Sequence, residues 1–433
     1  MNDLSRRGFL GVAGAATAAV GLSACAGTGT AAGGGGGGGD TIDFWSNHPG
    51  NSKPTEQQLI ADFEAANPAL KVKLTDAGKN YEEVAQKFNA ALSGGQLPDV
   101  VVASDVTWFN FALNKQLTPL DGLLTAANLQ TSDYVESLYK DYLYADKHFL
   151  LPYARSTPLF YYNKELWSAA GLPDRAPKTW QEFAEWGPKL AQSVGSDKSA
   201  LLLADGSNYL DWYFQGIVWS MGGNYSKEWT ATFTDEKTVA AGKLLQSLAQ
   251  QKIARFNKSP ATDFGAGLAA CMLESTGSLG GVAKTAKFTV ATADLPSPEG
   301  VLGCPTGGAG VGIPAGISDG RKKNALKFIE FLTNAKNTVT FTQATGYMPV
   351  RKSALEDPAE KSFLDKNQNA KTAVEQLPKT RSQDYARVAT PGGGARIGKA
   401  LDQIVQGADV MATFTALNEE TQKVIDTQVK PKL

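Results

Sequence analysis

The chain has 433 residues, 42% of them hydrophobic, and 42 Lys and Arg against 43 Asp and Glu leave a formal net charge of −1. That balance excludes the electrostatic footprint of a nucleic-acid binder, and the length exceeds what one core organises, so two domains or lobes are expected. With two histidines, His48 and His148, and three cysteines, Cys25, Cys271 and Cys304, the sequence holds no His-Glu-x-x-His and no Cys/His cluster; no metal, no cofactor and no catalysis are expected.

Residues 1–24 read as an export signal. Arg6-Arg7 ahead of Gly8-Phe9-Leu10 resembles a twin-arginine signal, and Leu22-Ser23-Ala24-Cys25 resembles a lipobox, cleaved before a cysteine that takes lipid. The stretch 8–24 is too short and too rich in Ala and Gly to span a bilayer. A lipidated Cys25 would hold the protein on the outer face of the cytoplasmic membrane. Residues 25–40, with seven consecutive glycines from Gly33, read as a flexible tether rather than a nucleotide loop, since no Gly-Lys-Ser/Thr follows and no strand precedes. Cys271 and Cys304 sit in small or apolar stretches and read as buried free thiols. Both histidines read as loop or surface residues.

From residue 41 the pattern alternates. Residues 41–45 read as a strand, 54–67 as a helix with Leu59, Ile60 and Phe63 on one face, and 70–74 as a half-buried strand. Residues 81–93 read as a second helix, stopped by Gly94-Gly95, and 99–103 as a buried strand. This β-α-β-α-β opening indicates a parallel sheet with covering helices. Further helices are expected at 179–193, 235–251 and 321–334, and one helical stretch at 397–429.

Five ordered motifs then carry a resemblance: Phe44-Trp45-Ser46-Asn47-His48-Pro49-Gly50, the stretch 152–163 (PYARSTPLFYYN), Ser275-Thr276-Gly277-Ser278-Leu279, Gly307-Gly308-Ala309-Gly310 and Thr345-Gly346-Tyr347-Met348-Pro349. Together they resemble the extracytoplasmic solute-binding proteins of ABC importers, in the maltose-binding-like class, and within it the Ugp-type binders of glycerol-3-phosphate and glycerophosphodiesters. Asp384-Tyr385-Ala386-Arg387-Val388 and the Gly-rich stretch 391–396 resemble the actinobacterial branch, which implies glycerophosphocholine as ligand. The resemblance implies a two-lobed periplasmic-binding-protein-like α/β fold, with central sheets flanked by helices and a hinge of crossing strands near 152–161, 303–313 and 347–351. Lobe 1 is expected at 41–155 plus 305–350, and lobe 2 at 156–304 plus 351–433. It also implies a monomer that captures its ligand without chemistry and meets membrane permease subunits.

The residues themselves are compatible. A phosphodiester needs one firm positive charge and several donors, and an arginine fork with backbone N–H groups near glycines supplies both. The resemblance matches Tyr81, Asp105, Ser156, Ser275, Gly308, Tyr347 and Arg387 to ligand contacts, with Arg396 the second candidate for the charge. Read alone, Tyr81 is equally a core aromatic, Asp105 a helix cap, Ser156 and Ser275 turn residues and Gly308 a tight turn. Tyr209 stands where the glycerol-3-phosphate binders close the pocket with tryptophan. Tyr209, Trp212 and Trp108 could offer aromatic faces to a quaternary ammonium, or serve as packing, the better reading for Trp212. An oligosaccharide binder is the alternative in the same class; a secreted phosphodiesterase is the alternative among enzymes.

Overall fold

Two five-stranded sheets organise the chain, and one stretch of backbone passes directly from the first into the second. The computed structural model describes residues 40–433, so the export signal, Cys25 and the glycine tether lie outside the described residues. The strands are β1 Thr41–Ser46, β2 Lys71–Asp76, β3 Val100–Ser104, β4 Leu150–Ser156, β5 Pro158–Asn163, β6 Ser199–Ala204, β7 Ala254–Asn257, β8 Ala269–Ser275, β9 Val290–Ala293 and β10 Gly307–Gly312. The main helices are α1 Lys53–Ala66, α2 Tyr81–Gly94, α3 Trp180–Val194, α4 Leu210–Ser220, α5 Glu236–Gln250, α6 Asp319–Leu332, α7 Ala335–Thr345, α8 Tyr385–Val388, α9 Gly393–Val405 and α10 Val410–Val424.

The first sheet runs β2-β1-β3-β10-β4 and the second β7-β6-β8-β5-β9. Each has three parallel strands at one side and two antiparallel joins at the other. The expected parallel opening therefore holds for β1, β2 and β3, and the sheet is completed by strands that return from far along the chain. β3 (VVVAS) is buried at every position, which suits a central strand covered on both faces. β10 is GGAGVG, a poor strand former taken alone. Its neighbours explain it: a Cβ at Gly312 would lie 2.3 Å from Leu150 Cδ2. The strand is glycine because β4 packs too close for side chains.

Helix ends follow local chemistry. Asn80 caps α2, its Oδ1 accepting from Glu83 N at 2.9 Å, and Gly95 ends the helix at φ 72°. The expected helix at 397–429 is two helices. Gly407 breaks it at φ 104°, and Asp409 starts α10 by accepting from Ala412 N at 2.8 Å.

Only Thr157 separates β4 from β5. The short strand Cys304–Pro305 pairs in parallel with Thr380–Arg381 just before β10 enters the first sheet, and Met348 N donates to Arg155 O at 2.7 Å. These are the expected crossings. One apolar cluster continues through them, joining Phe44, Val102 and Phe328 of the first sheet's side to Tyr161, Leu202 and Met272 of the second. Lys352–Leu355 and Pro358–Lys366 pack on α7, on the side of the first sheet. Cys271 and Cys304 are free and buried. Among the described residues no helix is long and apolar enough to cross a membrane.

Candidate functional site

In the first sheet β1, β2 and β3 run parallel, and Asp105 follows the last residue of β3, where ligands of open α/β sheets bind. Its backbone N–H donates to Gly308 O at 3.0 Å. Gly308 has φ +95°, and a Cβ there would lie 2.1 Å from Ala154 O. Gly308 is thus a close-approach glycine that sets the backbone beside Asp105.

Arg387, on the short helix α8, reaches Asp105 from the other side. Nε donates to Asp211 Oδ2 at 2.6 Å and Nη1 to Asp105 Oδ2 at 3.2 Å. Nη1 also donates to Gln383 Oε1, and Gln383 Nε2 donates to Asp105 Oδ2. The Arg387 side chain is 2% exposed and that of Asp211 5%. Burial works against the guanidinium charge, but Asp211 and Asp105 outweigh it and raise the Arg387 pKa above its ordinary value. One cation is thus shared between a carboxylate from the second sheet's side, Asp211, and one from the first, Asp105.

Three tyrosines form the wall beside this group. Tyr81 begins α2, and its hydroxyl lies 3.3 Å from that of Tyr347. Tyr347 packs over the turn of Gly277, where a Cβ would lie 2.7 Å from its ring. Burial pushes Tyr347 up to about 12 and Tyr81 and Tyr209 well above the ordinary phenol value, so all three hydroxyls stay protonated and able to donate. Tyr209 precedes α4 at φ 70°, an uncommon conformation for a tyrosine. It lies between two cavities. One, about 710 Å³, is lined by Glu82, Asn110, Asp211, Arg387 and Gly392. The other, about 680 Å³, is lined by Asn47, Asn80, Tyr81, Ser278 and Tyr347. Glu82 is open to water, yet the surrounding walls displace enough solvent to raise its pKa, and Asp105 and Asp211 add to the effect.

The other expected residues divide. Ser275 stands at the end of β8 and caps the following turn, accepting from Gly277 N at 3.1 Å, beneath Tyr347. Ser156 is buried opposite Gly307 in the crossing strand β4. Trp212 is packed, 6% exposed. Its Nε1 donates to Thr306 O at 3.0 Å, and its ring lies against Gly307, so it supports the crossing strands rather than facing a solute. Trp108 is buried against Phe109 and Tyr142 and touches a third cavity of about 520 Å³ on the other side of Asp105. Arg396 turns away from Arg387: Nη2 donates to Pro391 O at 3.1 Å and Nε to Thr421 Oγ1 at 3.4 Å, and burial lowers its pKa. The second charge candidate therefore does not join the cluster. Asp211 and Gln383 do join it and were not anticipated; the available signals were their spacing, two residues after Tyr209 and four before Arg387.

His48 and His148 are not idle surface residues. The His148 ring stacks on Tyr139 at 3.8 Å and meets Asp121 Oδ1 at 3.1 Å, and His48 is held between two carboxylates. Among the described residues no group of His, Cys, Asp and Glu is placed to hold a metal ion.

Residues 58–372 match the family described as bacterial extracellular solute-binding protein. The sn-glycerol-3-phosphate-binding periplasmic protein UgpB of Escherichia coli is 26% identical over 406 residues, covering 90% of this chain and 91% of the relative. The corresponding protein of Salmonella typhimurium is 28% identical over 404 residues, with the same coverage of both chains. The crystal structure of UgpB from Mycobacterium tuberculosis in complex with glycerophosphocholine shares 49% identity and a TM-score of 0.88, covering 91% of this chain and all of that one. The GacH receptor of Streptomyces glaucescens, at 23% identity and a TM-score of 0.78 over 89% of this chain and 98% of that one, shares the fold. The chain belongs to the family of bacterial extracellular solute-binding proteins and is homologous to the UgpB glycerol-3-phosphate-binding proteins.

Proposed function

We propose that this protein is the solute-binding component of an ABC importer for glycerophosphodiesters, with glycerophosphocholine the favoured solute. The observation that carries the reading is the Asp105–Arg387–Asp211 bridge across the cleft, in a chain 49% identical to a UgpB whose structure holds glycerophosphocholine. Arg387 uses Nε and Nη1 on the protein, and we assign its remaining edge, Nη2, to a phosphodiester oxygen. Tyr81, Tyr347 and Ser275 suit the hydroxyls of glycerol, since each hydroxyl can donate or accept, and the Asp105 carboxylate can accept from them. The acidic cavity beside Glu82 and Asp211 suits a cationic arm, with Tyr209 offering a ring face worth ~0.5–2 kcal/mol.

The lobes divide at the crossing strands, with 351–366 following the first lobe, and close on the solute by hinge bending. The protein performs no chemical step; it delivers the solute to permease subunits. Outside the cytoplasm it is held at the membrane by lipid on Cys25, as a monomer, with residues 26–40 as its tether. Calorimetry of the purified protein against glycerophosphocholine, glycerol-3-phosphate and maltose tests the reading. Glycerophosphocholine binds, glycerol-3-phosphate binds more weakly, and maltose does not. Equal or tighter glycerol-3-phosphate binding removes the diester preference, and tight maltose binding removes the ligand class.

A further inference from the structure

The motif 44–50 has a charge arrangement that solute recognition does not account for. His48 follows β1, and both of its ring nitrogens meet carboxylates: Nδ1 meets Glu56 Oε2, and Nε2 meets Asp76 Oδ1. A neutral imidazole carries one donor and one acceptor, whereas ionised carboxylates only accept. A ring flanked this way on both sides is satisfied only as the imidazolium. Glu56, from α1, is fully buried and also accepts from Ser46 Oγ at 2.8 Å and Tyr153 OH at 3.1 Å. Asp76, at the end of β2, is open to solvent and shared with Lys53 Nζ at 2.8 and 2.9 Å. Lys87, from α2, reaches the Asp76 carbonyl at 3.3 Å. The charges facing the ring are thus Glu56 and Lys53 from α1, Asp76 from β2 and Lys87 from α2, with the neutral Tyr153 from β4.

The loop that His48 begins is strained and lies against the opposite wall of the cleft. His48 has φ 53°, Gly50 φ 64° and Asn51 φ 60°. For His and Asn such angles persist only where neighbours hold them. A Cβ at Gly50 would lie 2.7 Å from the Tyr347 ring and 3.3 Å from Gly277 O, in the turn after β8. The same loop lines the 680 Å³ cavity with Tyr81 and Tyr209.

We propose that His48 is a positioning residue for solute capture: as an imidazolium bridging Glu56 and Asp76 it pins loop 47–51 in the shape that meets Gly277 and Tyr347 when the lobes close. The bond to Glu56 raises the His48 pKa; burial opposes the shift and Asp76 adds to it. The pin is therefore present below the ordinary imidazole range and is lost as pH rises through the raised value.

The ligand arm of the test rests on the solute reading; the loop arm does not. In ligand-free protein, the His48 ring is titrated by NMR from about pH 5.5 to 9, alongside amide exchange of residues 47–51. Loop protection falls with the same midpoint as the ring. Glu56→Gln moves both midpoints to lower pH, and His48→Gln leaves the loop poorly protected throughout, with melts confirming that each variant is folded. In parallel, glycerophosphocholine affinity weakens about tenfold across the titration and is weak and flat in His48→Gln. Loop protection that ignores the ring titration, or His48→Gln binding as the unaltered protein does across the range, overturns the proposal. If glycerophosphocholine binds at no pH, the ligand reading fails and the exchange data alone decide whether His48 pins the loop.

Discussion

Replacing Arg387 by Ala removes the one cation held between Asp105 and Asp211. With contacts of 2.6 and 3.2 Å and a side chain 2% exposed, its loss leaves two carboxylates facing a poorly solvated gap. Breaking a buried pair from one side costs ~3–5 kcal/mol. The lower end applies here, because Asp105 keeps Gln383 and is 16% exposed on its side chain. At about 2 °C per kcal/mol for a chain of this size, the melt falls ~6 °C. Loss of the phosphate partner is a second and separable effect of ~2–5 kcal/mol, roughly 30- to 5,000-fold in Kd. Arg387→Ala combined with Asp211→Asn separates the two. Asn removes the uncompensated charge, so at least half of the lost melting temperature returns while affinity stays low. Arg387→Lys keeps a charge but has no fork to reach Asp211 and Asp105 together, so it recovers in part. The assay is calorimetry with glycerophosphocholine beside a thermal melt of each variant. Affinity that returns with the melt in the double variant would show that Arg387 acts on the fold alone; normal binding by Arg387→Ala would place the phosphate elsewhere.

Tyr209→Ala opens the wall between the two cavities, so glycerophosphocholine still binds while diesters with bulkier head groups gain affinity, read by calorimetry across a head-group series; a uniform loss for every ligand refutes the wall assignment. Gly308→Ala forces a Cβ to 2.1 Å from Ala154 O at φ +95°, costing more than ~2 kcal/mol and lowering the melt sharply; a melt within a degree or two of the original contradicts the close-approach role. Cys25→Ala leaves the protein uncleaved at the lipobox or frees it from membranes, with solute affinity unchanged; continued fractionation as a mature membrane lipoprotein rules out Cys25 as the lipid site.

Local chemistry alone located β1, α1, β2, α2 and β3. Their alternation, the Asn80 cap and the Gly95 stop are properties of neighbouring residues, and each boundary fell within a residue or two. The break at Gly407 is equally local, a glycine at φ 104° inside the helical stretch 397–429. Arg387 and Tyr347 were legible through ordered motifs, and Tyr81 and Asp105 through their places after the second and third strands; the structure sets Asp105 3.2 Å from Arg387 and Tyr81 3.3 Å from Tyr347. Asp211 and Gln383 were not, because their bonds span 176 and 278 residues of chain, and no period or cap encodes such a pairing. Composition could not say which way Trp212 and Arg396 face, since helix rotation is set by what packs against it: Gly307 receives the indole, and Pro391 and Thr421 take the guanidinium. The sequence by itself determined the opening strands and helices, and through its ordered motifs the family. Only the tertiary structure determined that GGAGVG is a sheet strand and that one arginine is shared across the cleft, because close approach and charge sharing exist only between segments that folding brings together.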